Sequence, residues 1–347
     1  MREICNLVLM KNSKFLFIII YYIVSMYKQC IWNANGEFDC KNIYKKIRKN
    51  DLVFGSKKQL KTIYPPVRRI IAIGDLHGDI KKVKSIFIKA KLIKRTKNGY
   101  MWIGKDTYVV QVGDQIDYGG RGVETIDNSK EIEVLLFLDL MDKKARKHRG
   151  RVISLIGNHE LMNVLGDFRF VSNKGFSDFA GKYQRKKIFS PGGEMAKYLA
   201  HNRISVVQIG RWVFVHGGLL PYWVQNFKLH DINKKVKNFL LGNVSLEQDV
   251  DLKRMISGSD SFFWTREFGF PKDENYCSKV NSTLKILKAS GMVIGHSIHD
   301  KITSACSKKL WKVDVGLSRA FGGNKTTQCL EIISKKNGYV KSLKIIK

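Results

Sequence analysis

The chain has 347 residues, 44% of them hydrophobic, which is enough for one large core without demanding a second. Lysine and arginine outnumber the acids so far that the formal charge is +32. Such an excess would normally point to nucleic acid, but the lysines fall in small clusters along every segment, such as Lys45 and Lys46, Lys143 and Lys144, or Lys234 and Lys235. No aromatic-interleaved module accompanies them, which argues against a nucleic-acid partner and leaves a positive field that steers anionic substrates.

At the N-terminus, Lys11 and Lys14 precede an apolar run from Phe15 to Val24. A membrane span needs about 20 apolar residues, whereas the core of a signal peptide needs about 7–15. Ala34-Asn35-Gly36 offers a small-x-small cleavage site further on. Residues 1–36 are therefore expected to be a signal peptide or short membrane anchor, 37–67 a basic linker, and 68–347 a catalytic domain. The protein is accordingly expected in the secretory pathway or endoplasmic reticulum, membrane-associated if the segment is retained. Six cysteines show neither a CxxC pair nor a dense framework; Cys40, Cys277, Cys306 and Cys329 can pair or stay reduced, and each is read by default as a free, partly buried thiol.

A buried strand is expected over 69–73, followed by an amphipathic helix carrying Ile80, Val83, Ile86, Phe87, Ala90 and Ile93 at helical spacing. Further strands are expected over 108–112 and 152–156, with a helix over 131–141 between them. Later strands are expected over 211–215, 292–294 and 310–315. Strand, motif, helix, strand is the rhythm of an α/β domain.

Five motifs follow these strands: Gly74-Asp75-Leu76-His77-Gly78, Gly113-Asp114-Gln115-Ile116-Asp117, Gly157-Asn158-His159-Glu160, His216-Gly217-Gly218 and Gly295-His296-Ser297. Strand ends are where α/β proteins build their sites. Asp75 and His77 can turn towards one cation, Asp114 can bridge two, and Asn158, His216 and His296 complete the coordination of the second cation. Oxygen and imidazole donors without thiolate suit Mn²⁺, with Fe or Zn²⁺ as alternatives. Two such ions lower the pKa of a water between them and clamp a phosphoryl oxygen for in-line attack. His159 is the candidate general acid, oriented by Asp117. Arg266 and Arg121 are candidate phosphate clamps.

The motif set resembles the phosphoprotein phosphatase branch of the calcineurin-like metallophosphoesterases. The run Gly157-Asn158-His159-Glu160-Leu161-Met162-Asn163 with Gly166-Asp167-Phe168-Arg169-Phe170-Val171-Ser172 is similar to Shewanella-like protein phosphatases in particular, and the Lys-, Ile- and Asn-rich composition to apicomplexan members. The resemblance implies a four-layer sandwich of two mixed β-sheets flanked by helices. It also implies phosphoprotein substrates, the six metal ligands Asp75, His77, Asp114, Asn158, His216 and His296, and the acid pair His159 and Asp117. One position departs from the family pattern: Tyr118 stands where an arginine follows the second motif's latter aspartate. Arg121, beyond Gly119 and Gly120, is expected to reach back in its place, or Tyr118 to offer its hydroxyl. Three other readings of the same residues stay open: a nuclease or phosphodiesterase, a dinucleoside polyphosphate hydrolase, and an inactive phosphopeptide-binding module.

Overall fold

The computed structural model describes residues 30–32, 38–40, 60–97, 99–122, 126–179, 181–322 and 326–347. The apolar run at 15–24, the Ala34-Asn35-Gly36 site and most of the basic linker lie outside the described residues. Within the smaller of two compact units, Cys30–Trp32 pairs antiparallel with Phe38–Cys40. Among the described residues no helix is long and apolar enough to cross a membrane.

The larger unit carries the strands β1 (Ile63–Tyr64), β2 (Arg69–Ile73), β3 (Tyr108–Gln111), β4 (Arg151–Ser154), β5 (Val206–Ile209) and β6 (Trp212–Val215). They are followed by β7 (Gly291–Ile294), β8 (Thr303–Ala305), β9 (Leu310–Lys312), β10 (Cys329–Ser334) and β11 (Val340–Ile346). One five-stranded sheet runs β11-β10-β2-β3-β4 and one six-stranded sheet runs β8-β9-β7-β6-β5-β1. Both are mixed: β2, β3 and β4 are mutually parallel with β10 antiparallel on β2, and β6, β7 and β9 are parallel with β5 antiparallel on β6. The α/β class with two mixed sheets agrees with the sequence, and the second sheet also gains an edge strand, β1, ahead of residue 68.

Helices α1 (Ile80–Lys89), α2 (Glu131–Arg146), α3 (Asn158–Val164), α4 (Lys182–Phe189), α5 (Leu229–Leu240) and α6 (Tyr276–Ile286) flank these sheets. In α1 the Asp79 carboxylate caps the first turn by accepting from Lys82 N at 3.2 Å. Ile80, Val83, Ile86 and Phe87 form its buried stripe, and fully burying each contributes about 1.5–3 kcal/mol. Phe87 meets Phe137 of α2 edge-to-face at 5.2 Å, while Ile93, expected on the helix, lies beyond its end. A second core joins β5, β6 and β7 to α5 and α6 through Val206, Val213, Met292, Val236 and Leu284. Cys277 on α6 is disulfide-bonded to Cys306 after β8, correcting the expectation of free thiols there, whereas Cys329 is a free, buried thiol.

Two parallel sets of strands ending on one side bring five chain turns together. Those turns are the five motifs.

Candidate metal centre

Each expected ligand follows a strand end: Asp75 and His77 follow β2, Asp114 follows β3, Asn158 follows β4, His216 follows β6 and His296 follows β7. The turns are tightly drawn. A Cβ on Gly157 would stand 2.1 Å from Asp114 Oδ1, so only glycine lets the second and third motifs touch. Glu160 ties the same two turns, accepting from Asp114 N at 3.0 Å, Gln115 N at 2.8 Å and Gly157 N at 2.7 Å. Burial, then the nearby Asp114 charge, raises its carboxyl to about 7. His77, Asp114, Asp117 and His296 all sit at positive φ, of 40°, 54°, 68° and 64°. Such backbone is costly for residues with a Cβ and persists where the surrounding structure over-determines it.

Asp114 is the hub. Its Oδ2 lies 3.4 Å from His216 Nε2, 3.8 Å from His159 Nε2 and 3.9 Å from His77 Nε2. Two groups of donor atoms compact enough for a cation share this carboxylate: Asp114 with His77 and His159, and Asp114 with His216 and His296. The imidazoles are aimed by their far nitrogens. His216 Nδ1 bonds the Val112 carbonyl at 2.8 Å and His296 Nε2 the Trp264 carbonyl at 3.0 Å, while His77 Nδ1 lies 3.1 Å from the Ile116 and Asp117 carbonyls. This is the outer-shell arrangement that fixes a ligating tautomer. Asn158 Oδ1 lies 2.8 Å from His216 Nε2, inside the second group.

The electrostatics also call for cations. Burial, then the Asp314 and Asp114 carboxylates, pushes the Asp75 carboxyl well above its ordinary range. Asp114, despite equal burial, is held well below its own by His216 and His159. Three buried carboxylates in one pocket are relieved by bound positive charge, so this hard-to-borderline donor set fits two divalent ions.

His159 differs from the other imidazoles because its Nδ1 bonds a carboxylate, Asp117 Oδ2, at 2.9 Å. Burial works against its proton, but Asp114 and Asp117 prevail and hold it above the ordinary histidine value. Its ring is walled edge-on by His77 and Phe170, at 4.8 and 4.9 Å between centroids. The structure thus brings together His159 and Asp117, the two residues expected from sequence as an acid pair, beside Asp114.

The three expected substrate contacts fare differently. Arg121 does reach back: its Nη2 donates to the Asp117 carbonyl at 2.7 Å and stands 2.5 Å from His77 Nδ1. Gly120 permits the path, with φ +67° and an added Cβ that would sit 2.2 Å from the Arg169 carbonyl. Tyr118 is turned away, a correction to the idea that its hydroxyl serves the site. It is buried, and its hydroxyl faces Asn128 and the Asp79–Arg319 ion pair without closing a hydrogen bond of normal geometry. Arg266 is exposed and donates to the His296 carbonyl at 2.9 Å, so it braces a ligand turn; Glu267 pairs with Lys279 instead.

Sequence reasoning missed the residues behind the pair. Asn163 and Arg185 hold Asp117, and Asp314 lies against Asp75. Arg185 had one signal: it shares a buried helical stripe with Ile188 and Phe189 inside an otherwise basic helix.

The model of calcineurin-like phosphoesterases matches residues 68–297. The Shewanella-like protein phosphatase 1 of Plasmodium berghei is 31% identical, covering 72% of this chain and 67% of its own. The chain belongs to the Shewanella-like branch of the calcineurin-like phosphoesterases. The Shewanella-like protein phosphatase 2 of Arabidopsis thaliana is 29% identical over 75% of this chain and 74% of its own. A cold-active protein-tyrosine phosphatase of a psychrophile Shewanella species superposes with a TM-score of 0.66, over 84% of both chains at 20% identity, which shows a shared fold. As a calcineurin-like phosphoesterase the protein is a hydrolase, and its candidate metal donors are those that the five motifs supply.

Proposed function

We propose that this phosphoesterase is a two-metal phosphoprotein phosphatase with manganese as its working ion. One observation carries the reading: a single Asp114 oxygen is ringed by three imidazole nitrogens, and one of those imidazoles is backed by a second carboxylate, Asp117. When bound, the ions supply Lewis-acid polarisation of the phosphoryl group and a water of lowered pKa. Asp75, His77 and Asp114 would hold one ion, and Asp114, Asn158, His216 and His296 the other. His159 Nε2 gives its proton to the departing oxygen as that P–O bond breaks, which spares the leaving group an alkoxide or phenoxide charge. Asp117 keeps Nδ1–H in place and favours the charged imidazolium before transfer. Arg121 meets the non-reacting phosphoryl oxygens from the side of Phe170 and Phe321.

Protein substrates are favoured by the relatives named protein phosphatases. The test is turnover of matched phosphotyrosine, phosphoserine and phosphothreonine peptides by the full chain with Mn²⁺, beside a phosphodiester and a dinucleoside polyphosphate. Metal-dependent release of phosphate from a peptide, abolished in Asp114→Asn, is expected. Equal turnover by wild type and variant would refute the mechanism, and preference for the diester or the dinucleotide would replace the substrate class.

A further inference from the structure

Behind His159 and Asp117 lies a fully buried guanidinium that contacts no ligand and no solvent. Arg185 on α4 is wholly inaccessible, and each of its nitrogens is committed. Nε donates to Asn163 Oδ1 at 2.7 Å, Nη1 to Glu131 Oε2 at 2.8 Å and to the Gly175 carbonyl at 2.9 Å, and Nη2 to Asp117 Oδ1 at 3.2 Å. The aromatic faces of Phe179 and Phe189 stand 4.8 and 5.1 Å from its guanidinium carbon. A structural core would use leucine here far more cheaply, because burying an ion costs more than it returns unless its geometry is needed.

The geometry shows what is needed. Asn163 Nδ2 donates to both oxygens of Asp117, at 2.9 and 3.0 Å, and to the His159 carbonyl at 2.9 Å. An amide can present either its oxygen or its NH₂ in one position. Arg185 Nε, a donor, requires the Asn163 oxygen on its own side and so turns the NH₂ onto Asp117. Glu131, held by the same guanidinium, accepts from Asp117 N at 3.1 Å through its other oxygen. One side chain therefore fixes the Asp117 carboxylate from the front, the amide beside it and the backbone behind it.

We propose that Arg185 is a positioning residue for catalysis: through Asn163 and Glu131 it sets the orientation of Asp117, and through Asp117 that of the proton-donating imidazole of His159. The inference rests on the phosphatase reading above. Loss of this control would show where proton donation matters, since a good leaving group departs without help and a poor one does not.

The test compares wild type, Arg185→Met and Arg185→Lys as full chains with Mn²⁺ on dinitrophenyl phosphate and phenyl phosphate. In Arg185→Met, kcat/KM should fall at least tenfold more for phenyl than for dinitrophenyl phosphate. Arg185→Lys, which keeps the charge but not the fork, should recover part of the difference. In the metal-free proteins, the downfield His159 Nδ1–H proton resonance of wild type should disappear in Arg185→Met and return in part in Arg185→Lys. If the methionine variant does not fold, Arg185→Lys against wild type carries both comparisons. Equal losses on both substrates with an unmoved His159 resonance would overturn the positioning role while the phosphatase reading stands. Absence of metal-dependent turnover in wild type would overturn that reading and the role together.

Discussion

Replacing Arg121 by alanine tests whether this chain has moved its phosphate clamp. The guanidinium stands 4.5 Å from the Phe321 ring centroid and 5.4 Å from that of Phe170, with its Nη2 against Asp117 O and the His77 ring. Burial lowers its pKa, but Asp117 and Asp114 lead a group of carboxylates that counter the effect, so it stays cationic. Its Nε is buried with no hydrogen-bond partner among the described residues. An orphaned buried donor costs about 1–3 kcal/mol, and a hydrogen bond to a charged acceptor returns about 1.5–3 kcal/mol. A phosphoryl oxygen is such an acceptor. Arg121→Ala should therefore lower kcat/KM for a phosphopeptide by roughly 10- to 150-fold, mostly through KM. Arg121→Lys should recover little, because a point charge does not reproduce a planar fork. Steady-state kinetics over a phosphopeptide series checks this. Unchanged KM and kcat/KM would refute the clamp, and a loss confined to kcat would mean that Arg121 acts on His77 and not on substrate.

Two further outcomes concern stability. Burial, then the Glu131 charge, raises the Asp178 carboxyl to about 7, from 3.8, while Lys130 and Lys174 oppose the shift. The folded state therefore holds this proton more tightly than the unfolded state, so the associated stability is full below pH 4 and is lost as pH rises to 7. Asp178→Asn should melt like wild type at pH 4 and be more stable by about 1 kcal/mol at pH 8, a figure discounted for partial exposure and screening; a melting difference that does not change with pH refutes the assignment. The Cys277–Cys306 bond closes a loop with a sequence separation of 29, for which cross-linking contributes roughly 2–4 kcal/mol. Cys277→Ser should lower the melting temperature and remove its dependence on reductant, and retention of that dependence would assign it elsewhere.

The candidate ligands were legible because each stands within a few residues of a strand end: a local signal, a glycine and an acid or histidine after an apolar run, singles them out one at a time. Their order along the chain supplied the conjunction. The proposed acid pair was legible for the same reason, since His159 adjoins a candidate ligand and Asp117 follows Asp114 in one turn. The orientation of Tyr118 was not, because the direction of its side chain is set by one rotation about its Cα–Cβ bond, which spacing along the chain does not reveal. Nor did spacing reveal the pairing of Cys277 with Cys306, which depends on α6 lying beside the turn after β8.

The sequence by itself determined the α/β class, the strand-end turns and the candidate metal donors, because each depends on residues that are neighbours in the chain. Only the tertiary structure decided that Arg185, 68 residues from Asp117, stands behind it, with Asn163 at a separation of 46 and Glu131 at 14. Nothing in a basic helix distinguishes a solvated arginine from a buried one except the apolar stripe on which it falls. A contact of that kind exists only once two sheets and their helices have closed around the site, and burial then makes the hydrogen-bonding requirement of every nitrogen absolute.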